Sequence, residues 1–169
     1  MKKAFILLLL CVQFSNAQSV ALVKKDGKFG YLSKDGKFTI EPKFSDAKNF
    51  SDGLAAIQEG KKWGFIDVKG NLVIPATFDE VKYFNNGFCV VQKNKMWFYI
   101  DKKGEVIKTP FSDKVFDFED GVAFIKQNEK IGLINTQMTI ILEPKYNQIK
   151  SFENGFAKVE NNKKWGIIN

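Results

Sequence analysis

The chain has 169 residues, 14% of them aromatic, and 26 lysines stand against 19 acids for a formal charge of +7, with no histidine and no arginine. The lack of histidine removes the commonest general base and metal ligand, and with it any Ser-His or Cys-His nucleophile pair. The lack of arginine removes bidentate contacts to phosphate and guanine, so no nucleic-acid partner is expected. The lysines are scattered, which suits a solvated surface, with attraction to an anionic polymer or membrane surface as the sharper alternative.

The first seventeen residues have the form of an export signal. Lys2 and Lys3 give a basic start, Ala4 to Val12 an apolar stretch too short to span a membrane, and Ser15 and Ala17 small residues at the −3 and −1 positions of a cut between Ala17 and Gln18. Lipidation at Cys11 is disfavoured by the bulk of Leu10. The expected mature domain is 18–169, with a formal charge of +5 once Lys2 and Lys3 are gone and Cys89 as its one cysteine, so packing and not a disulfide must hold it. No later run reaches the roughly 18 apolar residues of a membrane helix. Export implies a periplasmic, secreted or cell-surface location.

From Ala21 onward the chain repeats every 34 residues without insertion. Phe29-Gly30, Trp63-Gly64, Trp97-Phe98, Ile131-Gly132 and Trp165-Gly166 form one pair of columns. Phe50, Phe84, Phe118 and Phe152 form another, and Gly53, Gly87, Gly121 and Gly155 a third. A small-residue column runs Ala21, Ala55, Cys89, Ala123, Ala157. Helical repeats also have this period, but each unit here carries glycine or proline breakers and short β-branched runs, so the period is β.

One unit predicts three short strands. "LAAIQ" (54–58) is the first, and Gly60-Lys61 a tight hairpin turn matched by Asp26-Gly27, Asn94-Lys95, Asn128-Glu129 and Asn162-Lys163. "KWGFI" (62–66) is the second, followed by the turn "DVKG", whose opening side chain can bond the turn backbone. "NLVIP" is the third, with Pro75 as its stop and Pro42, Pro110 and Pro144 in the same role. Met138 replaces the turn glycine of its unit, which predicts a different turn there. The connector "TFDEVKYFNNG" spaces Phe78, Val81 and Phe84 by threes, which suits a single helical turn or an irregular segment pinned at three points.

Alternation along the second strand sends Trp63 and Phe65 to one face and Gly64 and Ile66 to the other. All are apolar or glycine, which implies cover on both faces. Each tryptophan is expected to be buried between neighbouring units, on the order of 200 Å² apiece. The glycine leaves a dent that an aromatic from elsewhere is expected to fill.

"KKWGFIDVKGNLVIPATFDEVKYFNNGFCVV" resembles a WG repeat, a bacterial β-repeat family named for its Trp-Gly pair, and the resemblance covers residues 21–169. It implies tandem β units, often in exported or envelope proteins, with a binding or scaffolding role and no catalytic residues. No cofactor, metal or active site is carried over. The repeat-column residues are therefore expected to be structural anchors.

The expected fold is all-β: tandem 34-residue three-stranded antiparallel meanders in an open curved array, or alternatively a propeller-like ring. Five hairpins, from 21–32 to 157–168, give four complete repeats and a partial one. Acids such as Asp52, Asp67, Asp101 and Asp120 occupy turn columns where Asn or Ser substitutes, which suits bonding to backbone and not proton transfer. Cys89 sits in an alanine column as core filler. The expected function is a non-catalytic module that binds a protein or an envelope glycan. A structural spacer or a head-to-tail self-assembling scaffold is the alternative, and a carboxylate-dependent glycosidase comes last.

Overall fold

The computed structural model describes residues 20–169, so the expected signal and its Ala17–Gln18 cut lie outside the described residues. Sixteen strands and no helix build them. The first unit is the antiparallel meander β1 (Ala21–Lys25), β2 (Lys28–Leu32) and β3 (Phe38–Phe44). The second sheet is β4 (Asp46–Ala47), β5 (Ala55–Glu59), β6 (Lys62–Ile66) and β7 (Leu72–Phe78). The third is β8 (Glu80–Val81), β9 (Phe88–Lys93) and β10 (Met96–Asp101). The fourth is β11 (Val122–Gln127), β12 (Lys130–Asn135) and β13 (Ile140–Tyr146), and the fifth is β14 (Gln148–Ile149), β15 (Ala157–Asn161) and β16 (Lys164–Ile168). None of these sheets closes into a barrel.

Turn chemistry fixes the hairpins. Both central residues are left-handed in Asp26-Gly27, Asn94-Lys95, Asn128-Glu129 and Asn162-Lys163, with φ between 50° and 78°. That geometry matches the twist of the flanking strands. In the second turn, Asp67 Oδ1 accepts from the amides of Lys69 and Asn71 at 2.9 Å, and Asp101 and Asn135 do the same in their units.

The connectors are extended, not helical. Val81 lies in β8, a two-residue strand that pairs with Val91 in the first strand of the following unit. β4 and β14 do likewise against Ile57 and Val159. These three connectors thereby stitch one unit to the next. The third connector forms no such strand and is tied by the bonds from Asp113 N to Lys126 O at 2.7 Å and from Lys126 N to Ser112 Oγ at 2.9 Å.

The cores lie at the junctions between units. Phe65, Ala56 and Ile74 pack forward against Val81, Phe84, Cys89, Val91 and Ile100. Ile66, Ala55 and Ile57 pack backward against Tyr31, Ile40 and Phe44. The period-2 alternation of a strand covered on both faces is thus realised within β5 and β6.

The dent at the glycine is occupied differently from expectation. No foreign aromatic fills it. β6 pairs Trp63 with Phe78 and Phe65 with Ile74, so three residues of β7 bulge opposite Gly64. A Cβ on Gly64 would stand 2.6 Å from the carbonyl oxygen of Ile74 and 2.7 Å from the amide nitrogen of Ala76. Gly30 and Gly132 meet the backbone of β3 and β13 in the same way, the nearest atoms at 2.6 and 2.3 Å. The prolines do not end the third strands either. Pro42, Pro75 and Pro144 lie inside β3, β7 and β13, at the bulge, where a missing N–H costs no ladder bond.

The third unit breaks the pattern where its sequence does. Phe98 takes the glycine position, and Lys108 takes the third-strand position held by Ile40, Ile74 and Leu142. A side chain at 98 blocks the backbone approach, and burying an unpaired lysine is costly. The third strand therefore begins, with the Ile100–Val106 bridge and the bond from Ile107 N to Tyr99 O at 3.0 Å, and then departs before reaching Phe98. Met138 adopts the ordinary turn of its column, with φ 59°, contrary to the sequence expectation. The reason is space. Gly70 and Gly104 lie against Ile40 and Ile74, and a Cβ on either would come within 3.1 Å of them. No aliphatic side chain stands at 108, so the methionine extends into the third junction core and offsets its backbone strain.

The glycine contact predicts opposite outcomes at two equivalent positions. Gly64→Ala forces backbone apart and lowers stability by about 2–3 kcal/mol. Gly166→Ala, where the nearest atom is Val159 Cγ2 at 3.9 Å, changes it by about 0.5 kcal/mol or less. Urea denaturation of both variants measures this.

Candidate functional site

The repeat-column tryptophans occupy equivalent places next to the hairpin turns, on β6, β10 and β16. Trp63 packs partly against the second junction core. Trp97 is 37% exposed and Trp165 52% exposed. In the first three units the buried ring is the one two residues further on: Tyr31, Phe65 and Tyr99 are at most 4% exposed. Both positions face the same way, but Phe65 is mid-strand, whereas Trp63 is one residue from the strand end, where less of the neighbouring sheet lies above it. The expectation that the tryptophans are the sheltered rings is corrected accordingly.

Lysines cover two of these indoles. Lys48 Nζ lies 5.2 Å from the Trp63 ring and 5.5 Å from Tyr83, and Lys150 Nζ 5.4 Å from Trp165. Contacts of this kind contribute about 0.5–1 kcal/mol at exposed sites. At the equivalent position Lys82 turns instead to Asp117, at 2.8 Å. In the fourth unit lysine and tryptophan are both replaced, by Phe116 and Ile131. Tyr83, Phe111 and Phe156 are exposed as well, though none was singled out from sequence. For Tyr83 and Phe111 the legible signal was an aromatic outside the repeat columns, whereas Phe156 stands in the apolar column of Leu54, Phe88 and Val122.

The other anchors are structural. Phe84 and Phe118 are buried, while Phe29, Phe50, Ile131 and Phe152 are half-buried at the junctions. Gly53, Gly87, Gly121 and Gly155 are left-handed, with φ between 81° and 88°. Each closes a tight bridge such as Ser51–Leu54.

The acids bond to backbone and lysine. Asp52 Oδ2 accepts from Gly87 N at 2.6 Å, and its Oδ1 from Lys102 Nζ at 2.7 Å. Hydrogen bonds from the Asn71 side chain and the amides of Asn71 and Lys69 hold Asp67 below the usual carboxylate range. Asp79 is held low by Lys62 Nζ and by the amide of Asn94. Among the described residues no three of His, Cys, Asp or Glu gather as a metal site. Cys89 is buried, and burial pushes its thiol up to about 12, so it is protonated at neutral pH.

A family model described as WG containing repeat matches residues 29–63, 63–97, 97–130 and 131–165. A search of curated proteins found no match.

Cys89 should be inert to a thiol reagent such as dithionitrobenzoate at pH 8 in the folded chain and react at once in denaturant. Its folded pKa lies above the ordinary value of 9.0, so the stability linked to it is whole below pH 9 and is lost as pH rises toward 12. Cys89→Ala, which installs the residue of the other units, should lessen the alkaline slope in a pH series of melts, the remainder coming from Tyr31 and Tyr99, whose hydroxyls burial also pushes up.

Proposed function

The chain belongs to the WG-repeat family, and from that membership and its exposed rings we propose that it is a non-catalytic, exported binding module whose tryptophan column takes an envelope glycan. The observation that carries this reading is the exposure of Trp97 and Trp165 at equivalent positions in a lysine-rich surface. Flat aromatic faces stack on the apolar faces of sugar rings, and the ammonium groups suit anionic polymer substituents. An absence of chemistry fits the engagement of Asp52, Asp67 and Asp79 in structural hydrogen bonds and the protonation of Cys89. Export rests on the Lys2-Lys3 start, the apolar stretch after it and the small residues before Gln18.

Titration with soluble cell-wall glycan fragments should shift the tryptophan fluorescence saturably. Trp97→Ala and Trp165→Ala should each weaken binding by about tenfold, in the range of an aromatic anchor. A flat titration across purified wall fractions would instead leave a spacer or a protein-binding scaffold as the role.

A further inference from the structure

In the first, second and fourth units the third strand ends on an aromatic residue laid against the second strand. Phe44, Phe78 and Tyr146 pair with Phe29, Trp63 and Ile131. Phe44 and Phe78 are buried, and Tyr146 packs partly into the fourth junction core. In the third unit the same column holds Ser112. Its aromatic neighbour Phe111 is 72% exposed.

The departure of that segment leaves a bare strand edge. Along β10 every second residue turns its N–H and C=O away from β9. Tyr99 is one of these, since its carbonyl accepts from Ile107 N at 3.0 Å, and Trp97 is the next toward the hairpin. Among the described residues no backbone group outside β9 bonds to Trp97. An unpaired edge of this kind is a template for another strand.

The departed segment is itself pinned to β11. Gln127 Nε2 donates to Phe111 O at 2.7 Å, and Ser112 Oγ accepts from Lys126 N at 2.9 Å while donating to Lys114 O at 2.6 Å. Between this segment and β10 lies a slot of about 230 Å³. Trp97 and Tyr99 line one side, Thr109 and Phe111 the other, and the buried Ile125 and Ile134 close it. The volume is below the range of pockets that enclose a whole ligand and suits one large side chain. The surroundings are basic. Lys114 lines the slot, Lys108 adjoins Thr109, and Lys93 and Lys95 flank the hairpin turn that an added strand would pass; all four are exposed. Asp113 is the one acid between Lys108 and Lys114.

We propose that the open end of β10 docks an extended acidic peptide, which adds a strand at Trp97 and seats an aromatic side chain in the slot. The Trp97 amide and carbonyl exchange two main-chain bonds with the incoming aromatic residue, whose side chain supplies apolar specificity. That residue does for Trp97 what Phe78 does for Trp63. Carboxylates on either side of it meet the lysines. Phe98 stands where the other units have the glycine that admits a bulge, so the added strand is regular. The site is a main-chain edge with its slot, and stands whether or not the indole faces bind glycan.

The probe is the capped peptide acetyl-Glu-Val-Phe-Val-Glu-amide, titrated into the full chain by calorimetry. It should bind with a Kd of about 1 mM or tighter. Alanine at the centre, or methylation of the central nitrogen, should each weaken it about tenfold. Lysines in place of the two glutamates should weaken it about as much. The Trp97 amide, which exchanges freely in the chain alone, should be protected about tenfold at peptide saturation. Lys108→Glu with Lys114→Glu, both at exposed positions, should reverse the preference between the glutamate and lysine peptides. No binding of the glutamate peptide, equal binding of the methylated one, an unprotected Trp97 amide, or an unchanged charge preference in the double variant would each overturn the proposal. Protection of that amide by cell-wall glycan fragments and not by the peptide would give the slot to a glycan and overturn it as well.

Discussion

A sheet of three short strands with apolar residues on both faces has no cover of its own. That constraint organises the molecule. Each unit supplies one face to the unit before it and the other to the unit after it, so the cores form at junctions and not within sheets. The second strand is the shared wall, with Phe65 forward and Ile66 back. Its glycine lets the third strand bulge against it, which brings Ile74 into the forward core beside Phe65. Stability is thus a nearest-neighbour property, as in other solenoid-like repeats.

The third unit shows how such an array tolerates a broken rule. Phe98 excludes the bulge, Lys108 removes the side chain the bulge would deliver, and Met138 occupies the space left over. The three departures sit in different columns and in two units, yet they resolve into one local rearrangement. At the fourth junction Leu133 takes the place of the buried ring and packs with Ile149, Ala157 and Val159. Substitution in a repeat is therefore informative in pairs, because a neighbour can compensate and repack the core.

Much of this was legible in the residues. A fixed period, breakers at constant offsets and left-handed turn residues gave the meanders, and the alternation of Trp63, Gly64, Phe65 and Ile66 gave the two covered faces. What alternation does not encode is depth along the strand. It assigns Trp63 and Phe65 to one face but cannot tell that the first lies at the sheet's end and the second beneath its neighbour. Nor can it show that a glycine faces its own unit's backbone, because the bulge at Pro75 shifts register in a way no period predicts. For the connectors the pinned, irregular alternative holds and the helical one does not, and what the sequence leaves out is the short strand pairing at Val81. Apolar spacing by threes at Phe78, Val81 and Phe84 imitates a helical turn, when it marks an extended segment that changes sheets.

The division of labour between the buried ring and the exposed indole gives the surface its character. Rings freed from the core are available at the rim, where lysines already lie over two of them. The most direct measurement is the stability of Phe65→Ala beside that of Trp97→Ala under identical denaturant conditions. If the junction cores hold the array, the first loses about 3–5 kcal/mol and the second about 1 kcal/mol or less. Equal losses, or a larger one for the tryptophan, would contradict it.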